Sequence, residues 1–599
     1  MATQPTFLSK VRLIYTGMFM VALLLIIFAF RWQVAEAERF TLAADGRSQL
    51  SYIPSVRGSI YASDGTTLAY SEPRYDVYVW LPELQFRELK EIQTRVEFTD
   101  KLGSLIDKSG EQLRQELSAL EAQDVKYIKV ADSVTVEVRN QIMALTLDAD
   151  KDKPENQRRK LTGYEMKETS KRIYPENELA SQLIGLTKQL EDGSTVGLGG
   201  LEAEWAELEP IEGIVSGERD ARGNAIALSA EKTVEAQRGN SIYTSIDKRL
   251  QLLVENRLKW AVEAFSAASG SVVIMDPKTG EVKAMANYPT YNPNLREAKD
   301  PSVFGNKAIS EPYEIGSVGK SFTLAAALDT GTVNPDSVII QGHQGCEKIH
   351  DDLEPVCTHD KLPQPPLPIK EAFALSDNIY FLHLAQLMEK QDFHDYLVNF
   401  GIGIPSGVDI KGESAGYPVK DVEKWNVADQ AAYSYGHSYQ MNLLQVANGI
   451  GAIANYGVLM QPHVVNKVQR VDGTEITLPP RAVKRVITKE TAQTMDEIMH
   501  QVYQNNLFWW ERHYDDLRSY KIAMKSGTAL IPLKNGLGYS NEINATYAGY
   551  DASPDRSFVM IVRLERPQGS LASTNARILW LELFRDIKDY LGVKRIGEF

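Results

Sequence analysis

Two cysteines in 599 residues, Cys346 and Cys357, are too few to staple a chain of this length. Its core does not depend on disulfides, and at most one local clip is available. Clusters of lysine and arginine are missing as well. Asp and Glu outnumber Lys and Arg by 79 to 65, for a formal net charge of −14. With no basic cluster and no domain-wide positive excess, nothing has the footprint of a nucleic-acid binder. The acidic balance describes a soluble, self-repelling surface. Charged residues at 24% and hydrophobic ones at 43% are ordinary for domains with a sizeable core, and the length calls for two or more of them.

Leu13 to Phe30 contains no charge at all and is almost wholly apolar. At 1.5 Å per residue it reaches about 27 Å as a helix, enough to span a bilayer core. Lys10 and Arg12 precede it. The positive-inside rule then keeps the N-terminus in the cytoplasm and puts everything after Arg31 outside. A cleaved signal peptide is the alternative, because Ala35-Glu36-Ala37 has the small-x-small form of a cleavage site. Two features oppose cleavage: the run is longer than a signal core, and Arg31, Trp32 and Gln33 separate it from that site. A retained anchor is the expectation.

From Ala35 to about Ala225 short apolar runs alternate with charged helical stretches. Val77 to Trp80 reads as a strand. Glu83 to Leu105, Ser109 to Ala122 and Asp132 to Thr146 read as amphipathic helices, and Asp148 to Arg159 as a charged loop. None of these carries obvious chemistry. The texture changes at Gly239. Ser241 to Ile246 is a strand and Leu250 to Phe265 a helix. Gly270 to Met275 and Val282 to Ala286 form two strands around a Pro- and Gly-bearing turn. Phe322 to Leu328 is apolar on every side, as befits a helix in the middle of a domain. Phe558 to Leu564 is a strand, and Arg577 to Tyr590 a closing helix. Strands, then helices, then strands again indicate an α+β domain with helices packed on an antiparallel sheet.

That central helix begins with Ser317-Val318-Gly319-Lys320. A serine hydroxyl is a poor nucleophile and needs a base. Positions i and i+3 share a helix face, so Lys320 can reach Ser317, and a desolvated lysine beside other cations loses its proton near neutral pH. Ser-x-x-Lys also occurs at Ser229 and Ser245, but neither of those leads a long apolar helix. Ser376-Asp377-Asn378 follows between two helical segments. There Ser376 can relay a proton and Asn378 can hydrogen-bond a substrate amide. Lys525-Ser526-Gly527-Thr528 lies on a strand. Lys525 offers a fixed positive charge to a carboxylate, Gly527 leaves room for substrate backbone at the strand edge, and the Thr528 N–H completes an oxyanion hole with that of Ser317. No cofactor or metal is expected. Cys346 and Cys357 are expected to form a disulfide beside the cleft. His343, His350 and His359 crowd the same stretch, so zinc is the rival, although the spacing is not a common structural zinc pattern.

Taken together, these three motifs in this order resemble the class B penicillin-binding proteins, membrane-anchored peptidoglycan D,D-transpeptidases. Tyr313 to Ser317 resembles that family's Glu-Pro-Gly-Ser approach, and Asp276 to Val282 with Pro289 to Asn294 its first hairpin. Phe400 to Gly403 and Gln445 to Gly457 match later segments. Arg57 to Ile60, Asp64-Gly65 and Leu68-Ala69 resemble the opening motif of its pedestal domain. Tyr174-Pro175, Gly200 to Glu202 and Asp220 to Gly223 match other pedestal motifs. Ala62-Ser63 departs from the family's usual Asp-Arg, and Val318-Gly319 is smaller than its common Thr-Phe.

The resemblance implies a cytoplasmic tail over 1–12, a transmembrane helix over 13–31, an elongated pedestal over 32–238 and a transpeptidase domain over 239–599. No glycosyltransferase domain is visible, and Arg31 to Arg57 offers no room for one. It implies cross-linking of stem peptides through an acyl-Ser317 intermediate, β-lactams bound covalently at Ser317, and Ser376, Lys525, Asn378, Ser526, Gly527 and Thr528 around the substrate. It implies partnership with a polytopic glycan polymerase and other cell-wall machinery at a membrane, more in septal synthesis than in elongation. A D,D-carboxypeptidase or β-lactamase using water, and a non-catalytic activator of the polymerase, are the other readings.

Overall fold

The computed structural model describes residues 7–30, 48–53, 55–81, 91–146, 148–154, 158, 163–190, 195–211, 213–218, 232–295, 300–351, 354–508, 513–533 and 538–598. Arg31 to Gln33, Ala35 to Ala37 and Asp220 to Gly223 lie outside them, as does the first part of the helix expected from Glu83. The chain divides into two compact units, one of residues 1–55 with 210–237 and one of 56–209 with 238–599.

The smaller unit holds a helix over Phe7–Phe30 and a three-stranded antiparallel sheet of Ser48–Ile53, Gly213–Glu218 and Lys232–Val234. The helix side chains are described over Tyr15–Ile26 and at Phe28, and these are exposed. Among the described residues no helix is long and apolar enough to cross a membrane.

In the larger unit the long strand Thr67–Trp80 pairs antiparallel with Tyr127–Val134 and with Tyr164–Ile173. Helices Glu91–Leu105 and Gly110–Glu121 cover Val77 and Val79 with Phe98, Leu102, Leu113 and Leu117, a small core of its own. Ser109 caps the second helix through a capping box with Gln112, which satisfies two orphan N–H groups. The helix expected from Asp132 starts later, at Val136 behind the cap Thr135. Asp132 to Val134 finish a strand instead, because pairing with Thr67–Trp80 outweighs their weak helical pattern.

The remainder is built on one antiparallel sheet between helices. In chain order its parts are α1 (Lys248–Ala264), β1 (Ser269–Met275), β2 (Val282–Tyr288), α2 (Lys320–Asp329), α3 (Asn378–Gln386), α4 (Leu443–Ala454), α5 (Lys489–Phe508), β3 (Ile522–Pro532), β4 (Tyr539–Asp551), β5 (Val559–Glu565) and α6 (Ala576–Ile587). The strand order is β2-β1-β5-β4-β3, antiparallel throughout. Every residue of β1 is buried, which requires cover on both faces. α1 and α6 pack on the sheet and on each other, and α4 and α5 also pack on its strands. α2 is buried from Lys320 through Ala327 because helices surround it.

Candidate active site

Ser317 sits in one 3-10 turn, Gly316–Val318, and Gly319 joins that turn to α2, whose first residue is Lys320. Lys320 Nζ lies 3.1 Å from Ser317 Oγ, 2.6 Å from the Ser376 carbonyl, 3.3 Å from Ser376 Oγ and 2.7 Å from Asn378 Oδ1. Lys525 Nζ donates to Ser376 Oγ at 2.9 Å and to the Ser526 carbonyl at 3.1 Å. The Ser376 hydroxyl therefore bridges two lysines. Ser376 itself is held at φ +59°, in the left-handed region that a serine adopts only under constraint. That constraint turns both its carbonyl and its hydroxyl toward Lys320.

Both lysines are buried, at 0% and 1% exposure. Phe381 and Phe373 rings lie 5.5 and 5.6 Å from their nitrogens and supply apolar walls. Burial, and after it the neighbouring Lys525, pull the Lys320 amine well below the ordinary lysine range, while Asp377 pushes the other way. Burial brings Lys525 down to about 7. Lys525, expected as a positive charge, thus gives up its proton more readily than an exposed lysine.

Asp377 does not face the lysines. One oxygen caps α3 by accepting the Ile379 and Tyr380 N–H groups at 2.8 and 3.1 Å. The other lies 2.8 Å from His343 Nε2. His343 Nδ1 accepts the Gly345 N–H at 3.0 Å, so the proton is on Nε2 and is donated to Asp377. Asn378 points its Nδ2 at the Cys357 carbonyl, 2.9 Å away. Cys346 and Cys357 face each other in a two-residue hairpin and are joined as a disulfide. Among the described residues no group of three His, Cys, Asp or Glu is placed to hold a metal.

A cleft of about 440 Å³ opens over this array, lined by Ser317, Ser376, Asn378, Ser526 and Thr528 together with His359, His437 and Leu571. Gly527 is not on its wall. A Cβ there would meet the Ile315 carbonyl at 2.4 Å and Val318 at 2.9 Å, so the missing side chain makes room for the turn under Ser317 and not for substrate backbone. The Thr528 hydroxyl accepts the Ala572 N–H at 3.1 Å. The other Ser-x-x-Lys at Ser245 leads the expected helix α1, which is amphipathic and not apolar on every side. It is chemically idle: Ser245 Oγ donates to the Val282 carbonyl at 2.6 Å, and Lys248 pairs with Glu176 at 2.8 Å. Sequence reasoning missed a second cluster at the cleft, Glu314 with His437 and Tyr539. Glu314 lay inside a recognised motif, but nothing in the sequence marked its partners.

Residues 270–587 match the penicillin binding protein transpeptidase domain, and residues 52–244 match the penicillin-binding protein dimerisation domain. The chain belongs to this family. Penicillin-binding protein PbpB of Mycolicibacterium smegmatis is 30% identical over 433 residues, 70% of this chain and 64% of that protein. Peptidoglycan D,D-transpeptidase FtsI of Escherichia coli is 30% identical over 419 residues, 68% of this chain and 65% of that one. The chain thus spans just under two thirds of the length of these two curated relatives. The crystal structure of penicillin binding protein 2X from Streptococcus thermophilus shares the fold, with a TM-score of 0.73 at 22% identity over 91% of this chain and 81% of that one.

Proposed function

We propose that this protein is a class B peptidoglycan D,D-transpeptidase, anchored in the membrane by Leu13 to Phe30, with its pedestal over 32–238 and its catalytic domain over 239–599 outside the cytoplasm. Ser317 attacks the D-Ala-D-Ala bond of a stem peptide and releases D-Ala. An amine of a second stem then resolves the acyl-enzyme and leaves a cross-link. The observation that carries the reading is the Lys320 amine, buried 3.1 Å from Ser317 Oγ, with the Asp377 carboxylate turned instead to His343 and a helix cap. A lysine so placed is a neutral base, which is what a serine nucleophile needs. Ser376, between Lys320 and Lys525, passes the proton on to the leaving amine. Asn378 keeps one N–H for the substrate amide, and Ser526, Thr528 and protonated Lys525 take its carboxylate.

The printed name of the Escherichia coli relative supports the reaction class. Its likeness also favours a division-type role, and a fluorescent fusion in growing cells tests that placement. β-Lactams acylate the same serine. Labelled penicillin is the test of the site: Ser317→Ala abolishes labelling with unchanged thermal unfolding, whereas a labelled Ala variant places the nucleophile elsewhere.

A further inference from the structure

Glu314 lies three residues before Ser317 and is buried, 7% exposed. Its carboxylate accepts two donors and pairs with an imidazole. The Ser438 N–H reaches Oε1 at 3.0 Å. The Tyr539 hydroxyl lies 3.0 and 3.2 Å from its two oxygens. His437 Nδ1 lies 3.0 Å from Oε2. His437 is packed edge-on between the Tyr435 and Tyr539 rings and lines the same cleft as Ser317. Its backbone is pinned there: the Gly436 carbonyl accepts the Gly316 N–H at 3.1 Å, and a Cβ on Gly436 would fall 1.9 Å from the Gly316 carbonyl. His437 and Ser317 thus spring from touching segments. With Nδ1 paired to the Glu314 carboxylate, Nε2 is the ring nitrogen left to take a proton, and among the described residues no hydrogen-bond partner meets it.

We propose that His437, oriented by Glu314, is the base that deprotonates the acceptor amine in the second half-reaction. This rests on the transpeptidase reading and adds a residue to it. An imidazole whose Nδ1–H is fixed by a carboxylate is a general base aimed through Nε2. The acceptor enters as an ammonium. His437 Nε2 takes one proton and becomes imidazolium. The free amine attacks the acyl carbonyl, a C–N bond forms and the C–Oγ bond to Ser317 breaks. A second amine proton passes by Lys320 to Ser317 Oγ, and the third stays on the new amide. The imidazolium then returns its proton to solvent. Lys320 alone serves this step poorly, since it must still reprotonate Ser317. Glu314 is a positioning residue, and Tyr435, Tyr539, His359, Lys320 and Lys525 are the other titratable groups facing His437 or the cleft.

The experiment uses the full chain in detergent, a benzoyl-D-alanyl thioester as donor and D-alanine as acceptor. Thiol release reads acylation, and the ratio of aminolysed to hydrolysed product reads the acceptor step. Native aminolysis is expected to rise with pH as the base sheds its proton and then to level off. His437→Gln lowers the ratio about 100-fold and replaces the plateau with a climb of about tenfold per pH unit, as the free amine alone becomes the nucleophile. Glu314→Gln lowers the ratio and moves the rise. A His437→Gln enzyme with the native ratio and profile overturns the proposal. Should that variant not fold, a native profile without the levelling overturns it equally. A native enzyme that releases no thiol defeats the transpeptidase reading itself, a distinguishable result.

Discussion

Two clusters of buried positive charge in the larger unit are treated in opposite ways. In the region that matches the dimerisation domain, Arg57 Nε and Arg172 Nε lie 2.6 and 2.7 Å from the two oxygens of Glu202, and all three side chains are 0–1% exposed. In the cleft, Lys320 and Lys525 are as deeply buried, yet they share a serine hydroxyl and main-chain carbonyls, and the adjacent acid Asp377 is turned to His343 and a helix cap. The choice of cation explains the difference. A guanidinium cannot shed its proton, so its burial demands a counter-ion. An amine can, so burial without a counter-ion leaves it neutral and basic. One cluster is built for a permanent charge and the other for a removable one.

The sharpest way to break this comparison is at Lys320. Lys320→Ala is expected to slow acylation by a labelled penicillin by about 100- to 10,000-fold, the usual worth of a general base. Its thermal midpoint should not fall, since a buried amine without a carboxylate partner adds little stability. Near-native acylation would show that the base lies elsewhere.

Glu202→Gln tests the other cluster. It leaves two buried guanidiniums without their carboxylate and is expected to cost about 3–5 kcal/mol in urea unfolding. Below its transition the variant should still be acylated, because the partners of Glu202 are Arg57, Arg172 and Tyr174 and not the residues around Ser317. A stability change under about 1 kcal/mol would mean that Glu202 does not hold the two arginines in place.

The two clusters were not equally legible in sequence. Ser317, Lys320, Ser376, Asn378 and Lys525 stood out because their spacing and order carry the chemistry, and α2 because it is apolar all round. Four of the five strands of the catalytic sheet were readable from short β-rich runs beside turns, but β4 (Tyr539–Asp551) was not. Glu202 and Arg57 were visible as parts of separate motifs, but neither their pairing nor Arg172 was. The pairing of Glu314 with His437 was hidden for the same reason: Glu314 and the Ser438 N–H that holds it are 124 residues apart, and only the folded chain joins them. Gly527 was misjudged because a glycine in a strand announces a close approach without saying what approaches.

Lys525 sharpens the contrast through pH. Its amine is held at about 7 against an ordinary 10.5, so between those values the unfolded chain binds a proton that the folded chain does not. Stability therefore rises with pH across that window through this group, and below about pH 7 both states are protonated and its contribution no longer changes. Lys525→Met should be more stable than the native protein near neutral pH and should lack this rise, a difference that urea midpoints at two pH values will read. A variant whose midpoints run parallel to the native ones would show Lys525 to be charged in the fold.

The smallest effect is expected where the base cluster is steered from outside. Asn378 presents Oδ1 to Lys320 at 2.7 Å because its Nδ2 is occupied by the Cys357 carbonyl at 2.9 Å. Reverse that amide and a donor faces Lys320, which forfeits a hydrogen bond and opposes the protonated amine formed during acylation. The carbonyl is positioned by the disulfide hairpin, but not by the disulfide alone: Thr358 N–H and hydroxyl reach the Gly345 carbonyl at 2.9 and 3.2 Å, and His343 and Gln364 exchange two backbone hydrogen bonds. With those ties intact, the double variant Cys346→Ser, Cys357→Ser should misplace the carbonyl only part of the time. Acylation should slow by no more than about tenfold, the worth of one net hydrogen bond. A dithiol, oxidised as it reduces the disulfide, should slow the native protein by the same factor and leave the double variant unaffected. Native acylation that is indifferent to both treatments would show that the hairpin holds Asn378 without its disulfide.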